Sequence, residues 1–180
     1  MKFHLVPQAL CGLALFLMHT AAHAGAFSVN PVRLTLSAQE PVAALTLRNA
    51  GAEPTLVQIE TTRWSQEEGH DVTVTSNEIL ATPPIVTIPA GGSQIIRVGL
   101  RRPPDAKSEL TYRLILREVP PPDADVRGLR ITLHVSMPVF VRPPGTVAPV
   151  LAWRAKLTRE GRIQLEARNS GNAHVQLGKL

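Results

Sequence analysis

Residue types that usually carry catalysis are present in this sequence, but they are not grouped. After residue 24 the chain has three histidines, His70, His134 and His174, which lie far apart and have no paired carboxylates at a metal-ligand spacing. Gly91-Gly92 falls between two predicted strands instead of opening a helix, so it lacks the layout of a phosphate-binding loop. The pattern predicts no catalytic or metal site, no cofactor and no enzyme.

The informative chemistry is strand pairing, in the segment from Leu129 to Val141. Because successive side chains of a strand point to opposite faces, apolar residues at every second position line one side. A half-buried core strand would show the same alternation, and the pattern alone leaves that interpretation open. The alternating residues are Leu129, Ile131, Leu133, Val135 and Met137.

Two features of this segment favour a strand at the edge of a sheet. It covers about 13 residues, against the usual five or six. Pro138 lies inside it and cannot donate the N–H that a central strand needs. A long apolar edge ordinarily promotes aggregation, so a protein that keeps one is expected to pair it with another chain.

The rest of the chain shows short apolar–polar alternations separated by turn residues, with almost no helical periodicity. Seven or eight strands at this spacing predict an all-β fold, an immunoglobulin-like antiparallel β-sandwich. The Cys…Trp…Cys signature of antibody domains is absent. Besides 129–141, the predicted strands are 27–36, 42–47, 55–64, 71–75, 85–88, 94–100 and 110–119.

Three parts are predicted along the chain. Residues 1–24 have a weakly basic start, an apolar run over 9–18 and Ala22-His23-Ala24, the layout of a secretory signal peptide. Residues 25–143 form the sandwich. A linker, Arg142-Pro143-Pro144-Gly145, follows the sandwich. Residues 144–180 are expected to contain the rest of this linker and an incomplete second β-sandwich domain, with strands at 150–157, 162–167 and 174–177.

Composition excludes several classes of protein. The only cysteine, Cys11, lies in the predicted signal peptide, so the mature chain would have no disulfide and no thiol chemistry. The net charge of +5 comes from scattered basic residues without a basic run, which does not indicate nucleic-acid binding. After the signal peptide no stretch reaches 18 consecutive apolar residues, so no membrane insertion is expected.

Short motifs occur along the chain in a characteristic order. They are Val32-Arg33, Ala81-Thr82-Pro83-Pro84, Ile88-Pro89-Ala90-Gly91, Gln94-Ile95-Ile96-Arg97, Leu116-Arg117-Glu118-Val119-Pro120-Pro121 and Phe140-Val141-Arg142-Pro143. The ordered set resembles the PapD-like chaperones of the chaperone–usher pilus pathway. The resemblance extends from about Ala26 to Pro144, and Asn169 to His174 continues it.

The resemblance implies a periplasmic chaperone whose clients are fimbrial or pilus subunits. Such subunits lack their final strand, and the chaperone's last strand fills the open groove, here with the apolar row of 129–137. An outer-membrane usher then receives the subunit, and the next subunit's extension replaces the donated strand. A homodimer would be one way to cover the apolar edge in the absence of a client.

The resemblance also implies an anchor for the subunit's C-terminal carboxylate. In most of the family two basic residues hold it, and Arg33 matches the first. The second, a lysine, falls at Pro138, a substitution that is similar to the archaic branch with Csu-type (spore-coat-type) fibres. Arg97 and Arg113 are the candidates for the missing charge.

Two other functions are weighed against the chaperone. A structural or adhesive immunoglobulin-like surface module would fit the sandwich, but fibre subunits usually carry a cysteine pair that this chain lacks after residue 24. An exported carbohydrate-processing enzyme would need a carboxylate pair beside an aromatic platform. Aromatic residues after residue 24 are only Phe27, Trp64, Tyr112, Phe140 and Trp153.

Overall fold

The computed structural model describes residues 27–120 and 132–178, and it is all-β as predicted. The predicted signal peptide and Cys11 lie outside the described residues, as do Leu129 and Ile131. None of the described residues lies in an apolar helix of membrane-spanning length.

Twelve strands are present in these ranges, and most coincide with the predicted alternations. In chain order they are β1 Phe27–Asn30, β2 Leu34–Leu36, β3 Val42–Asn49, β4 Thr55–Glu67, β5 His70–Thr75, β6 Ile79–Thr82, β7 Ile85–Ile88, β8 Ser93–Leu100, β9 Leu110–Val119, β10 His134–Val141, β11 Leu151–Leu157 and β12 Ile163–Asn169.

The first ten strands form two sheets that face each other. One sheet has the order β1-β3-β8-β6, and the other has the order β2-β10-β9-β4-β5, with β7 also paired to β4. Strands β11 and β12 form a separate antiparallel pair. The prediction of an immunoglobulin-like sandwich is confirmed.

The core lies between the two sheets and is filled by every second side chain of the facing strands. In β9, for example, Leu110, Tyr112, Leu114 and Leu116 are buried, whereas the residues between them are partly exposed. Burying one such aliphatic side chain stabilises a fold by about 1.5–3 kcal/mol. This packing fixes which face of each strand remains outside.

Three sequence predictions about strands need correction. Residues 27–36 form two strands in different sheets, because the chain crosses over at Pro31–Arg33. Residues 174–177 are not a strand. In the predicted strand 129–141, the described part becomes a strand only at His134. The short strand β6 was not predicted.

Candidate functional site

Strand β10 is flanked unequally on its two sides. Strand β9 pairs with all of it, from His134 opposite Arg117 to Val141 opposite Leu110. On the other side, β2 pairs with it only over Val139–Val141, in parallel. Among the described residues no strand pairs with the remaining side over 134–138. We call this stretch the open edge.

The open edge exists because the first segment of the chain changes sheets. Leu34 lies beside Val139 in the parallel register, so an unbroken strand would place Val32 beside Met137. Instead, the residues before the crossover pair with β3 in the opposite sheet, with Val29 next to Leu47. The crossover therefore leaves the outer side of residues 134–138 without a partner.

Main-chain groups at this edge face outward at alternate residues. The Leu133 carbonyl accepts a hydrogen bond from the Glu118 backbone N–H at 2.9 Å, so Leu133 points its main chain towards β9. In a strand the direction alternates, which directs the main-chain groups of His134 and Ser136 to the open edge. Pro138 offers only its carbonyl there. The edge can thus accept an added strand through His134 and Ser136.

Side chains of the apolar row change from buried to half-exposed along β10. Met137 is 2% exposed and belongs to the core of this domain, together with Val139 and Val141. The prediction that Met137 faces a partner is therefore corrected, because its side chain is enclosed between the two sheets. Val135 is half-buried and packs against the core.

Leu133 lies at the open end of the sandwich. It is half-buried and helps to line a small apolar hollow of about 10 Å³ with Phe27, Val29, Leu47, Val57, Leu116 and Glu118. The Glu118 carboxylate accepts a hydrogen bond from the Leu133 backbone N–H at 3.0 Å, and this contact ties the residue just before β10 to β9. Sequence analysis had assigned no role to Glu118.

A cleft of about 1130 Å³ lies between the outer face of the β10 sheet and the β11–β12 pair. Its sheet side includes Trp64, Arg113, Pro138 and Phe140, and its opposite side includes Glu166 and Arg168 of β12. Arg33, from the crossover between β1 and β2, enters the same cleft. Arg33 is exposed and forms no ion pair with a described residue.

Arg113 is the second cation on the sheet side of the cleft. It is directly opposite Pro138 in the β9–β10 pairing, and directly paired residues of antiparallel strands share a face. Its guanidinium lies 3.9 Å from the centre of the Trp64 ring and 3.4 Å from the Asp71 carboxylate. Hydrogen bonding from the Gln66 amide, with the nearby charge of Arg113, lowers the pKa of Asp71.

Arg97 does not belong to this cleft. It lies on β8 of the other sheet, opposite Ala44 and Thr82, and is exposed. The two sheets enclose the core between them, so Arg97 and Arg113 are separated by its full thickness. The prediction of Arg97 as a carboxylate anchor is corrected on this ground.

His174 is a cleft residue to which the sequence analysis assigned no role. Its ring stacks on Phe140 with centroids 3.6 Å apart and an interplanar angle of 1°. Its Nδ1 lies 2.6 Å from Oε1 of Glu109, whose side chain is only 4% exposed. No sequence spacing connects these three residues, which come from β10, the turn before β9 and the segment after β12.

Metal binding finds no support in the described ranges, which contain no group of three or more His, Cys, Asp or Glu side chains arranged to hold an ion. The site has instead the two parts already described, a strand edge with outward main-chain groups and a cleft with cations. This combination suits a polypeptide ligand.

Comparisons with known proteins agree with this geometry. A family model described as pili and flagellar-assembly chaperone, PapD N-terminal domain, matches residues 26–147. The curated chaperone protein FimB/FhaD of Bordetella pertussis is 26% identical over 184 residues, which is 96% of this chain and 74% of that protein.

Solved structures show the same fold. A chain of the CsuC–CsuE chaperone–tip adhesion subunit complex, from the archaic chaperone-usher Csu pili of Acinetobacter baumannii, superposes with a TM-score of 0.68 at 24% identity, covering 82% of this chain and 73% of that one. The class 5 fimbriae chaperone CfaA gives a TM-score of 0.59 at 20% identity, covering 82% and 68%. Because the family model covers more than half of the sequence, the chain belongs to the PapD-like family of pili and flagellar-assembly chaperones.

Proposed function

We propose that this chain works in the periplasm, where it binds immature fimbrial subunits by adding the β10 edge to their incomplete sheet and delivers them to an outer-membrane usher. The observation that carries the proposal is the open edge of residues 134–138. Its outward main-chain groups would form the ladder with the client, and main-chain ladders supply affinity in strand addition.

The apolar row would supply the side-chain part of this interaction. Leu133 and Val135 are only half-buried, so part of each side chain remains accessible to a client. Leu129 and Ile131 continue the same alternation in the sequence before Leu133, and we assign them to the client's groove on the sequence pattern. Met137 is assigned to the chaperone's own core.

Arg33 and Arg113 would anchor the client's C-terminal carboxylate in the cleft. Both line it, and a guanidinium can hold a carboxylate through two parallel hydrogen bonds. Pro138 at the position of the family's lysine, and the similarity to the Csu relative, favour the archaic branch. No catalytic step is part of this role.

The test is co-expression with a candidate fibre subunit, followed by purification of a soluble complex. Leu133→Arg and Ile131→Arg place a charge in the apolar row and should abolish the complex while the chaperone stays folded. Val74→Arg is the matched control, because Val74 is 60% exposed on β5, at the other margin of the same sheet. Normal capture by both row variants would reject strand donation.

A further inference from the structure

The Glu109–His174–Phe140 group suggests a further binding residue in the cleft. We infer that His174 donates a hydrogen bond to the client's terminal carboxylate when its imidazole is protonated, beside the two arginines. This inference rests on the proposed function, because it names one more contact for the same client. His174 and Arg33 both line the large cleft and also a neighbouring hollow of about 400 Å³ on the Thr35 side of the crossover.

Glu109 determines which ring nitrogen of His174 is left for a ligand. An ionised carboxylate only accepts hydrogen bonds, so Nδ1 must carry the proton in the 2.6 Å contact with Glu109. Glu109 also accepts from the His174 backbone N–H at 3.2 Å. Nε2 has no hydrogen-bond partner among the described residues, so it is the nitrogen left for a ligand.

Phe140 and the nearby backbone contacts fix the ring in place. One face of the imidazole is covered by the Phe140 ring, yet the His174 side chain keeps 34% of its surface exposed. The segment before it is tied to the sandwich, since the Glu109 N–H donates to the Asn172 carbonyl at 2.9 Å and the Asn172 amide donates to the Lys107 carbonyl at 3.1 Å. A ring held in this way loses little entropy when it binds a ligand.

Charges around His174 favour an anionic ligand in its cationic form. Arg33, Arg113, Arg142 and Arg168 line the two spaces that flank the ring. Of these, Arg113 is already paired with Asp71, as Glu109 is with His174. That leaves Arg33, Arg142 and Arg168 beside the carboxylates of Glu68 and Glu166. Cations thus outnumber the carboxylates that remain, and a client carboxylate would complete the balance. Protonated His174 would add a charge-assisted hydrogen bond.

The test compares one client subunit in two forms, with its native terminal carboxylate and with that terminus converted to a primary amide. Dissociation constants are measured at about pH 5.5 and about pH 8, on either side of the ordinary range of histidine titration. For the carboxylate form we expect binding to be roughly tenfold tighter at the lower pH, the size of one charge-assisted hydrogen bond. The amide form should show no such gain.

His174→Phe is the decisive variant, because it keeps an aromatic ring to stack on Phe140 and removes both nitrogens. It should bind the carboxylate form equally at the two pH values, at the level that the wild-type chain shows at about pH 8. His174→Gln replaces it if the first variant does not fold. Retention of the pH difference by the variant would overturn the inference but leave strand donation intact, whereas failure of both client forms to bind the wild-type chain would reject the proposed function itself.

Discussion

Arg113 lies directly opposite Pro138 across the β9–β10 pairing, and both line the cleft that Arg33 enters. The position where the family resemblance expects a lysine thus has a cation one strand away on the same face. This cation is on β9 instead of β10, at the same level of the sheet. A guanidinium also gives a fixed pair of donors, which a lysine ammonium does not.

We expect Arg33→Ala and Arg113→Ala each to weaken binding of a client subunit by about 10- to 100-fold. Removal of a hydrogen bond to a charged group costs about 1.5–3 kcal/mol. Arg97→Ala is the control on the opposite sheet and should change the dissociation constant little. Titration calorimetry with a purified subunit measures all three, and an effect of Arg97→Ala equal to that of Arg33→Ala would contradict the anchor assignment.

Pro138→Lys should restore part of the binding that Arg113→Ala loses. The new lysine side chain would project from the same face of the sheet, next to the position that the Arg113 guanidinium occupied, because residues 113 and 138 are direct cross-strand partners. The measurement is the dissociation constant of the double variant beside each single variant. Equal binding by the double variant and Arg113→Ala would show that the two positions do not serve the same ligand group.

The sandwich could be predicted from the sequence because alternation of apolar and polar residues in strands such as β3 and β9 directly reflects burial. The split of the first strand could not, because Pro31 marks a break without indicating which sheet each half joins. Ile79–Thr82 was missed because two buried residues, Ile79 and Ala81, are too few to show a period.

The site was predicted in part for the same reason. Pro138 and the long apolar alternation indicated an edge, but the burial of Met137 depends on how far the opposite sheet extends, which no local pattern contains. Arg97 and Arg113 each lie between apolar residues of a predicted strand, and the assignment of β8 and β9 to opposite sheets separates them. The His174–Glu109 contact joins residues 65 positions apart.

Met137→Ala should lower the free energy of unfolding by about 2–5 kcal/mol, the usual cost of deleting a buried side chain. Leu133→Ala should cost less, because Leu133 is only half-buried at the open end. Client capture per folded molecule should fall more with Leu133→Ala than with Met137→Ala. Urea denaturation measures the stability of the two variants, and subunit pull-down measures their client capture. A larger loss of capture with Met137→Ala than with Leu133→Ala would contradict the assignment of Met137 to the core and Leu133 to the client.

Asn49→Ala should lower the free energy of unfolding by about 1–3 kcal/mol without affecting client binding. Asn49 is 2% exposed, and its amide donates to the Ile88 carbonyl at 3.1 Å while its Oδ1 accepts from the Gly51 N–H at 2.9 Å. Truncation removes both of these hydrogen bonds from a buried position. Asn77→Ala, at an exposed position, should change stability by less than about 0.5 kcal/mol, and an equal loss would refute the role of burial.

The stabilising contribution of ionised Glu78 should be lost in acid. Hydrogen bonds from the Arg102 guanidinium and from the Tyr112 hydroxyl, the latter at 2.8 Å, lower the pKa of Glu78 below its ordinary value of 4.5. A carboxyl with a lowered folded-state pKa contributes its stability above the unfolded-state pKa and loses it as the pH falls through the folded-state pKa.

The melting temperature of the wild-type chain should therefore exceed that of Glu78→Gln at about pH 7, and the difference should shrink as the pH falls below about 4.5 towards about pH 3. Glu53→Gln, at an exposed position, is the matched control and should follow the wild type at every pH. Thermal unfolding followed by circular dichroism provides the comparison. If the difference in melting temperature between wild type and Glu78→Gln stays constant from neutral to acid pH, the ionised form of Glu78 does not stabilise the fold. Protonation of Glu78 would then cause no loss of stability.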